Sequence, residues 1–323
     1  MNVAEIVKNN ILEKLKNAED TNTTFYWVKP YENGLNSAYN YISLKPYNGI
    51  NRLLLDPTEY ITYNQMKNLE KQTGQNLHIR KNAHLPMAIY TNSAPQKDDN
   101  GNFIVNEESG EIEQYRFFKY YRLIKREDVI NEMGENLPSR FGFAHHDHEN
   151  EFNDIAIMNC EKLEKDLKEY CFSKGVEIEN IMDGTECYFC PQTMTIRIPF
   201  PENFNSHYEY LHSFSHEVCH LSEYLKTGKA DMEIQAYSFN ELIAEIGAEM
   251  ILQSYFIPDT RQNKENSIAY LQSWSKFLKE DKGSKLISAC SHAQQCCDDI
   301  IETRIRQQEI QEPELVFAND ISR

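Results

Sequence analysis

His216-Glu217-Val218-Cys219-His220 places two imidazoles four residues apart, with a carboxylate directly after the first. On a helix, residues four apart share a face, so both rings can hold one metal ion. The glutamate beside the first histidine can reach the water that such an ion activates and take its proton. The flanking sequence supplies the helix. Tyr208, Leu211, Phe214, Val218, Leu221 and Leu225 recur at helical spacing, no Pro or Gly interrupts Glu202 to Thr227, and Gly228 offers a stop.

A catalytic zinc site takes three protein ligands and keeps one position open, so a third ligand is needed. Asn240-Glu241-Leu242-Ile243-Ala244-Glu245, among Phe239, Ile246 and Met250, predicts a second buried helix in which Gly247 allows close packing. Glu241 and Glu245 project from one face of it. Carboxylates on a half-buried face are costly unless paired, and a metal with its histidines would pair them. Glu241 is therefore the expected third ligand. Glu245 is expected to accept a hydrogen bond from the far nitrogen of a ligand histidine. Glu223, Asp231 and Glu249 remain alternatives for the third position, and the bare pattern also fits a buried histidine pair satisfied by hydrogen bonds. The arrangement resembles the gluzincin metallopeptidases, where HExxH is followed by Glu-x-x-x-Asp on a second helix; Glu245 stands here at the Asp position. That resemblance implies one Zn2+ per chain, with another divalent metal as a substitute, and Glu217 as the general base.

Composition bounds the rest. The 323 residues suggest two domains. No run of eighteen apolar residues exists, so no membrane span is expected. The N-terminus lacks the apolar core of an export signal; Val3, Ile6, Val7, Ile11, Leu12 and Leu15 instead predict an amphipathic helix. Eight cysteines without such a signal read as reduced thiols of a cytoplasmic protein. Cys187-x-x-Cys190 has no second pair to complete a zinc site and is expected to lie on a strand or loop, while Cys296 and Cys297 are packing residues. Residues 1–135 carry 16 basic and 18 acidic side chains, a balance of −2, so −15 of the net −17 belongs to the remainder. His145, His146 and His148, with Asp147 and Glu149, fit either a small metal patch or a flexible linker, and the linker is favoured.

The N-terminal part alternates short blocks. Strand-like segments lie near 85–91, 103–105 and 115–124, with a turn at Asp98-Asp99-Asn100-Gly101. Tyr115 to Arg126 interleaves aromatics with five cations, a composition suited to single-stranded nucleic acid, although a half-buried strand alternates in the same way.

Pro46-Tyr47-Asn48-Gly49-Ile50-Asn51, Tyr60-Ile61-Thr62-Tyr63-Asn64-Gln65 and Ile79-Arg80-Lys81-Asn82-Ala83 resemble blocks of ArdC-type antirestriction proteins. So do His216–His220, the stretch from Asn240 to Ala248, Ile268 to Trp274, and the Ala/Gln-rich tail after Ser288. The His-rich segment from Phe141 to Asn153 and the presence of Leu44 and Tyr47 depart from the family's pattern. The resemblance implies an α+β chain: an α+β domain binding single-stranded DNA over 1–135, a linker over 136–152, and a mostly helical zincin-like domain with a small sheet, including Thr195–Ile198, over 153–323. Candidate DNA contacts are Tyr47, Asn48, Asn51, Arg52, Arg80, Lys81, Arg116, Lys119 and Arg122. The expected function is a zinc metallopeptidase that protects incoming phage or plasmid DNA in a bacterial cytoplasm, with single-stranded DNA and a protein substrate or host defence protein as partners. A DNA-binding protein with a structural metal domain, and an acidic DNA mimic, are the rival expectations.

Overall fold

The computed structural model describes residues 2–21, 35–98, 100–106, 110–141, 149–182, 186–228, 234–257, 275–279 and 283–311. The first apolar pattern forms the expected helix, α1 (Val3–Thr21), which buries Ala4, Val7, Ile11, Leu15 and Ala18 along one stripe. A curved sheet follows, with strand order β1-β2-β5-β4 from β1 (Tyr39–Asn40), β2 (Glu59–Thr62), β4 (Met87–Pro95) and β5 (Gln114–Lys125). β1 and β2 are parallel and the other pairs antiparallel. A two-stranded ribbon of β3 (His78–Ile79) and β6 (Val129–Ile130) lies beside it. Between them, α2 (Asn51–Leu54) is a single turn and α3 (Tyr63–Thr73) a proper helix. Thr62 and Gln65 start α3 with a reciprocal cap, each side chain accepting from the other's backbone N–H.

The segment expected as a strand at 103–105 appears only as single bridges, Lys97 to Phe103 and Val105 to Ile112, in the excursion joining β4 to β5. The expected turn is there: Asp98 accepts from the backbone N–H groups of Asn100, Gly101 and Asn102. Buried Glu59 holds the chain as it leaves this sheet, accepting from Ser139 Oγ at 2.7 Å and Arg140 N at 2.8 Å beside Arg126.

The second part is mostly helical, with α4 (Glu149–Ser173), α5 (His207–Thr227), α6 (Ile234–Ser254) and α7 (Ser284–Gln311). Its small sheet has the order β7-β9-β8, from β7 (Glu177–Ile181), β8 (Tyr188–Cys190) and β9 (Thr195–Pro199). Cys190 ends β8 and Cys187 directly precedes it, and both are free, partly buried thiols. The blocks at His145–His148, Asp231 and Ile268–Trp274 lie outside the described residues.

One apolar core joins the two parts. Val7, Ile11 and Leu15 of α1, Leu53 of α2 and Ile89 of β4 pack with Leu242, Ile246 and Met250 of α6 and Leu286 and Ala293 of α7. Two buried polar residues bind this seam. Asn51 donates to Ile89 O at 2.8 Å and accepts from Ile89 N at 2.7 Å, locking α2 onto β4. Arg52, 6% exposed, donates to Gln253 Oε1 and Met250 O, each at 3.0 Å, and to Ser254 Oγ at 3.3 Å. Its cation thus sits at the C-terminus of α6, where the helix carbonyls offer partial negative charge. Replacing Arg52 by Met keeps the stem but strands these acceptors. It should lower stability by about 2–4 kcal/mol, read from urea unfolding.

Candidate metal centre

α5 begins at Ser206, whose side chain accepts from Glu209 N, and ends at Gly228 in the left-handed region at φ 65°, as the sequence predicts. Its buried stripe includes Leu211, Phe214, Val218 and Leu221. α6 runs antiparallel to it, and the two helices come close at Gly247. A Cβ there would lie 2.5 Å from Cys219 Sγ. The glycine is what lets the histidines of α5 and the carboxylates of α6 face one another at short range.

His216, His220 and Glu241 each present one donor atom, and these atoms lie within 4.8 Å of one another. The two Nε2 atoms are 3.1 Å apart, and Glu241 lies 3.4 Å from each, through Oε2 to His216 and Oε1 to His220. Ligands about 2.05 Å from a tetrahedral ion are roughly 3.3–3.4 Å apart, and cis ligands about 2.1–2.2 Å from an octahedral one are about 3.0–3.1 Å apart. The two histidine nitrogens and the two Glu241 oxygens thus stand at separations a divalent ion's ligands take, with a different carboxylate oxygen facing each ring. Hydrogen bonding alone would require two imidazole nitrogens to point at each other with one proton between them.

Electrostatics shows how strongly the groups interact without the ion. Burial opposes charge on His216, but the Glu241 and Glu245 carboxylates, with Glu217 nearby, overcome it and raise its pKa to about 10. Burial likewise pushes Glu241 up, but hydrogen bonds from His216 and His220 outweigh it and hold the carboxyl far below its usual range.

Glu217, the expected general base, is nearly buried, and its Oε2 accepts from Phe189 N of β8 at 2.8 Å. Local spacing does not foretell this contact, because it joins two elements 28 residues apart. Glu245 Oε2 faces His216 Nδ1 at 3.6 Å, an ion-pair separation longer than a direct hydrogen bond. Glu223 is turned elsewhere, accepting from or paired with His292 Nδ1 at 2.8 Å. Glu249 lies against Tyr208 and His212 instead. His207 pairs with Glu164 at 3.6 Å, and the Tyr224 ring packs on Phe189.

The nine candidate DNA contacts fall into distinct groups. Tyr47, Asn51 and Arg52 are buried, their polar groups engaged inside the protein, so these three are not offered to a ligand. Asn48, Arg80, Lys81, Lys119 and Arg122 are exposed. Of these, Arg80 also donates to Asn136 and Arg122 to Leu85 O. The Arg116 side chain lies outside the described residues.

The Gly247 contact is directly testable. Gly247→Ala should cost about 1–3 kcal/mol of stability and weaken metal uptake together, since Cys219 must be displaced in a packed site. Cys219→Ala should restore much of both, because the next contact, Cys219 Cβ, is at 3.5 Å. Chemical unfolding and zinc titration of the double variant read the coupling.

Residues 166–292 match a family of zincin-like metallopeptidase domains, and residues 1–123 match the N-terminal domain of the anti-restriction factor ArdC. None of the curated proteins compared with the chain matches it. Among solved structures, the fold is similar to the metal-free antirestriction ArdC protein from R388 plasmid, with TM-score 0.64, 21% identity, and 95% of this chain and 99% of that chain covered. The Mn(II)-bound form of the same plasmid protein gives TM-score 0.60 at 21% identity, covering 94% and 98%. At that identity the likeness is one of fold. The two family matches lie in order along the chain, which thus joins a domain like the N-terminal domain of ArdC to a zincin-like metallopeptidase domain.

Proposed function

We propose that this protein is an antirestriction factor that hydrolyses peptide bonds at the His216–His220–Glu241 centre and binds single-stranded DNA through its N-terminal sheet. In this reading residues 1–135 recognise DNA, 136–152 connect, and 153–323 carry the chemistry. The observation that carries the catalytic half is the fit of three donor atoms to one divalent ion, with Glu217 on the same helix beside them. Zn2+ suits two imidazoles and a carboxylate, and the Mn(II)-bound relative supports a divalent ion more generally. When bound, the ion acts as a Lewis acid toward water and toward a scissile carbonyl.

The chain's own residues supply the remaining steps. His216, His220 and Glu241 would hold the ion. Phe189 N–H fixes one oxygen of Glu217, which leaves the other to take the proton of the attacking water and pass it to the departing amine. Glu245 steadies His216 from behind. Among the described residues, no helix is long and apolar enough to cross a membrane, in keeping with a protein that works in the cytoplasm.

Glu217→Gln preserves an acceptor for Phe189 N–H and removes the base. Cleavage of a fluorogenic peptide library should fall by about 10²–10⁴-fold. Zinc content should stay that of the parent. Equal cleavage by parent and variant would refute hydrolysis by this centre, and a parent that cleaves nothing in the library would leave only a metal-holding domain.

Support for the DNA half comes from one face of the β4–β5 hairpin. The opposite face carries Ile89, Met87 and Phe118 into the shared core. The outer face carries Tyr90, Tyr115, Phe117, Lys119 and Tyr121, with Tyr90 against Tyr121 at 5.7 Å, Tyr115 against Phe117 at 5.6 Å and Lys119 over Phe117 at 5.2 Å. Tyr90 and Tyr115 are 41% and 50% exposed, so their rings are open to stacking by unpaired bases while Lys119 meets phosphate. Fluorescence anisotropy should show salt-sensitive binding with a preference for single over double strands, weakened about tenfold or more by Tyr115→Ala. Equal affinity of parent and variant would move the DNA site elsewhere.

A further inference from the structure

The polar pattern of the metal centre continues past the centre itself. On α5, Tyr208, His212, His216 and His220 recur every four residues; on the facing α6, so do Glu241, Glu245 and Glu249. Because the helices are antiparallel, the two rows interleave. Glu241 lies between His220 and His216, each at 3.4 Å. Glu245 lies between His216 Nδ1, 3.6 Å from its Oε2, and His212 Nε2, 4.0 Å from its Oε1. Glu249 follows, with Oε1 3.4 Å from His212 Nε2 and Oε2 accepting from Tyr208 OH at 3.3 Å. The rings of Tyr208 and His212 stack, with centroids 6.0 Å apart and planes at 24°.

Three carboxylates at four-residue intervals on one helix face repel one another, and here they are largely shut away from water. The imidazoles stand between them, and His212 Nε2, buried without a hydrogen bond, lies within ion-pair distance of both Glu245 and Glu249. Glu245 is central: one oxygen serves a metal-ligand histidine and the other faces His212. Without the His212 imidazole beside both, the Glu249 carboxylate one turn away would push Glu245 more strongly, and the support behind His216 would shift.

We propose that His212 and Glu249 are positioning residues of the metal centre, acting through Glu245 on the orientation of His216. The proposal rests on the metal-centre reading given above. It makes the centre a ladder rather than a triad: metal affinity depends on residues one and two turns beyond the ligands, none of which touches the ion.

The test is metal titration of the full chain with Zn(II) against a chromophoric chelator, and with Co(II), whose visible bands report donor geometry. The set comprises the parent, His216→Ala, Glu245→Gln, His212→Gln and Glu249→Gln. The parent should bind one ion and His216→Ala none. Glu245→Gln and His212→Gln should each weaken Zn(II) binding about tenfold or more and shift the Co(II) bands. Glu249→Gln should do so by a smaller factor, and all variants should keep the parent's far-UV circular dichroism and metal-free unfolding midpoint. His212→Gln with parent-like affinity and bands, beside a weakened Glu245→Gln, overturns the proposal while leaving the metal centre intact. A second equivalent of ion in the parent that His212→Gln abolishes also overturns it, because His212 would then be a ligand. A parent that binds no ion overturns both readings, and is told apart by the parent titration alone.

Discussion

The contact between Gly247 and Cys219 is the constraint from which the rest of the structure follows. Two helices with ordinary side chains at that point would stand further apart, and the carboxylates of α6 would no longer reach the imidazoles of α5. The absence of a Cβ on α6 thus sets the distance over which every polar pair in the centre forms. The same approach explains why so many charged groups tolerate burial. Each of Glu241, Glu245 and Glu249 faces an imidazole of α5, and the apolar flanks of α5 and α6 close around them.

Much of this was legible in the chain because it depends on local spacing. The helix around His216–His220, its stop at Gly228, the buried helix carrying Glu241 and Glu245, the strand at Thr195–Ile198 and the amphipathic start at Val3 all follow from periods of 3.6 or 2 residues. Even the role of Gly247 follows from an unpatterned glycine inside an apolar helix. The continuation through His212 and Glu249 was there too, as an unbroken four-residue repeat. A five-residue motif draws the eye away from the longer period in which it sits.

What local spacing does not show is which polar residue faces inward across a seam between distant segments. Asn51 and Arg52 belong to a polar-looking block, and a cation beside an asparagine suggests a phosphate. Their partners, Ile89 O, Gln253 Oε1 and Met250 O, lie about 40 to 200 residues away, so only the assembled fold reveals that both residues are internal. The aromatic-rich β5 reads equally as stacking surface and half-buried strand, and the structure shows a half-buried strand with aromatics on its exposed side. Phe118 enters the core while Tyr115 and Lys119 remain outside, because alternate residues of one hairpin point to opposite faces.

The core that runs from α1 through α6 to α7 has a consequence for how such genes diverge. Beads on a string can be shuffled by recombination, each bead keeping its own shape. Here a crossover in the connecting segment would marry Val7, Ile11 and Arg52 from one parent to Leu242, Met250 and Gln253 from another. Those surfaces were fitted to each other, so chimeras between distant relatives would arise with a mismatched interior. Lineages of this architecture are thus expected to inherit both parts together, with substitutions on one side of the seam tracked by substitutions on the other.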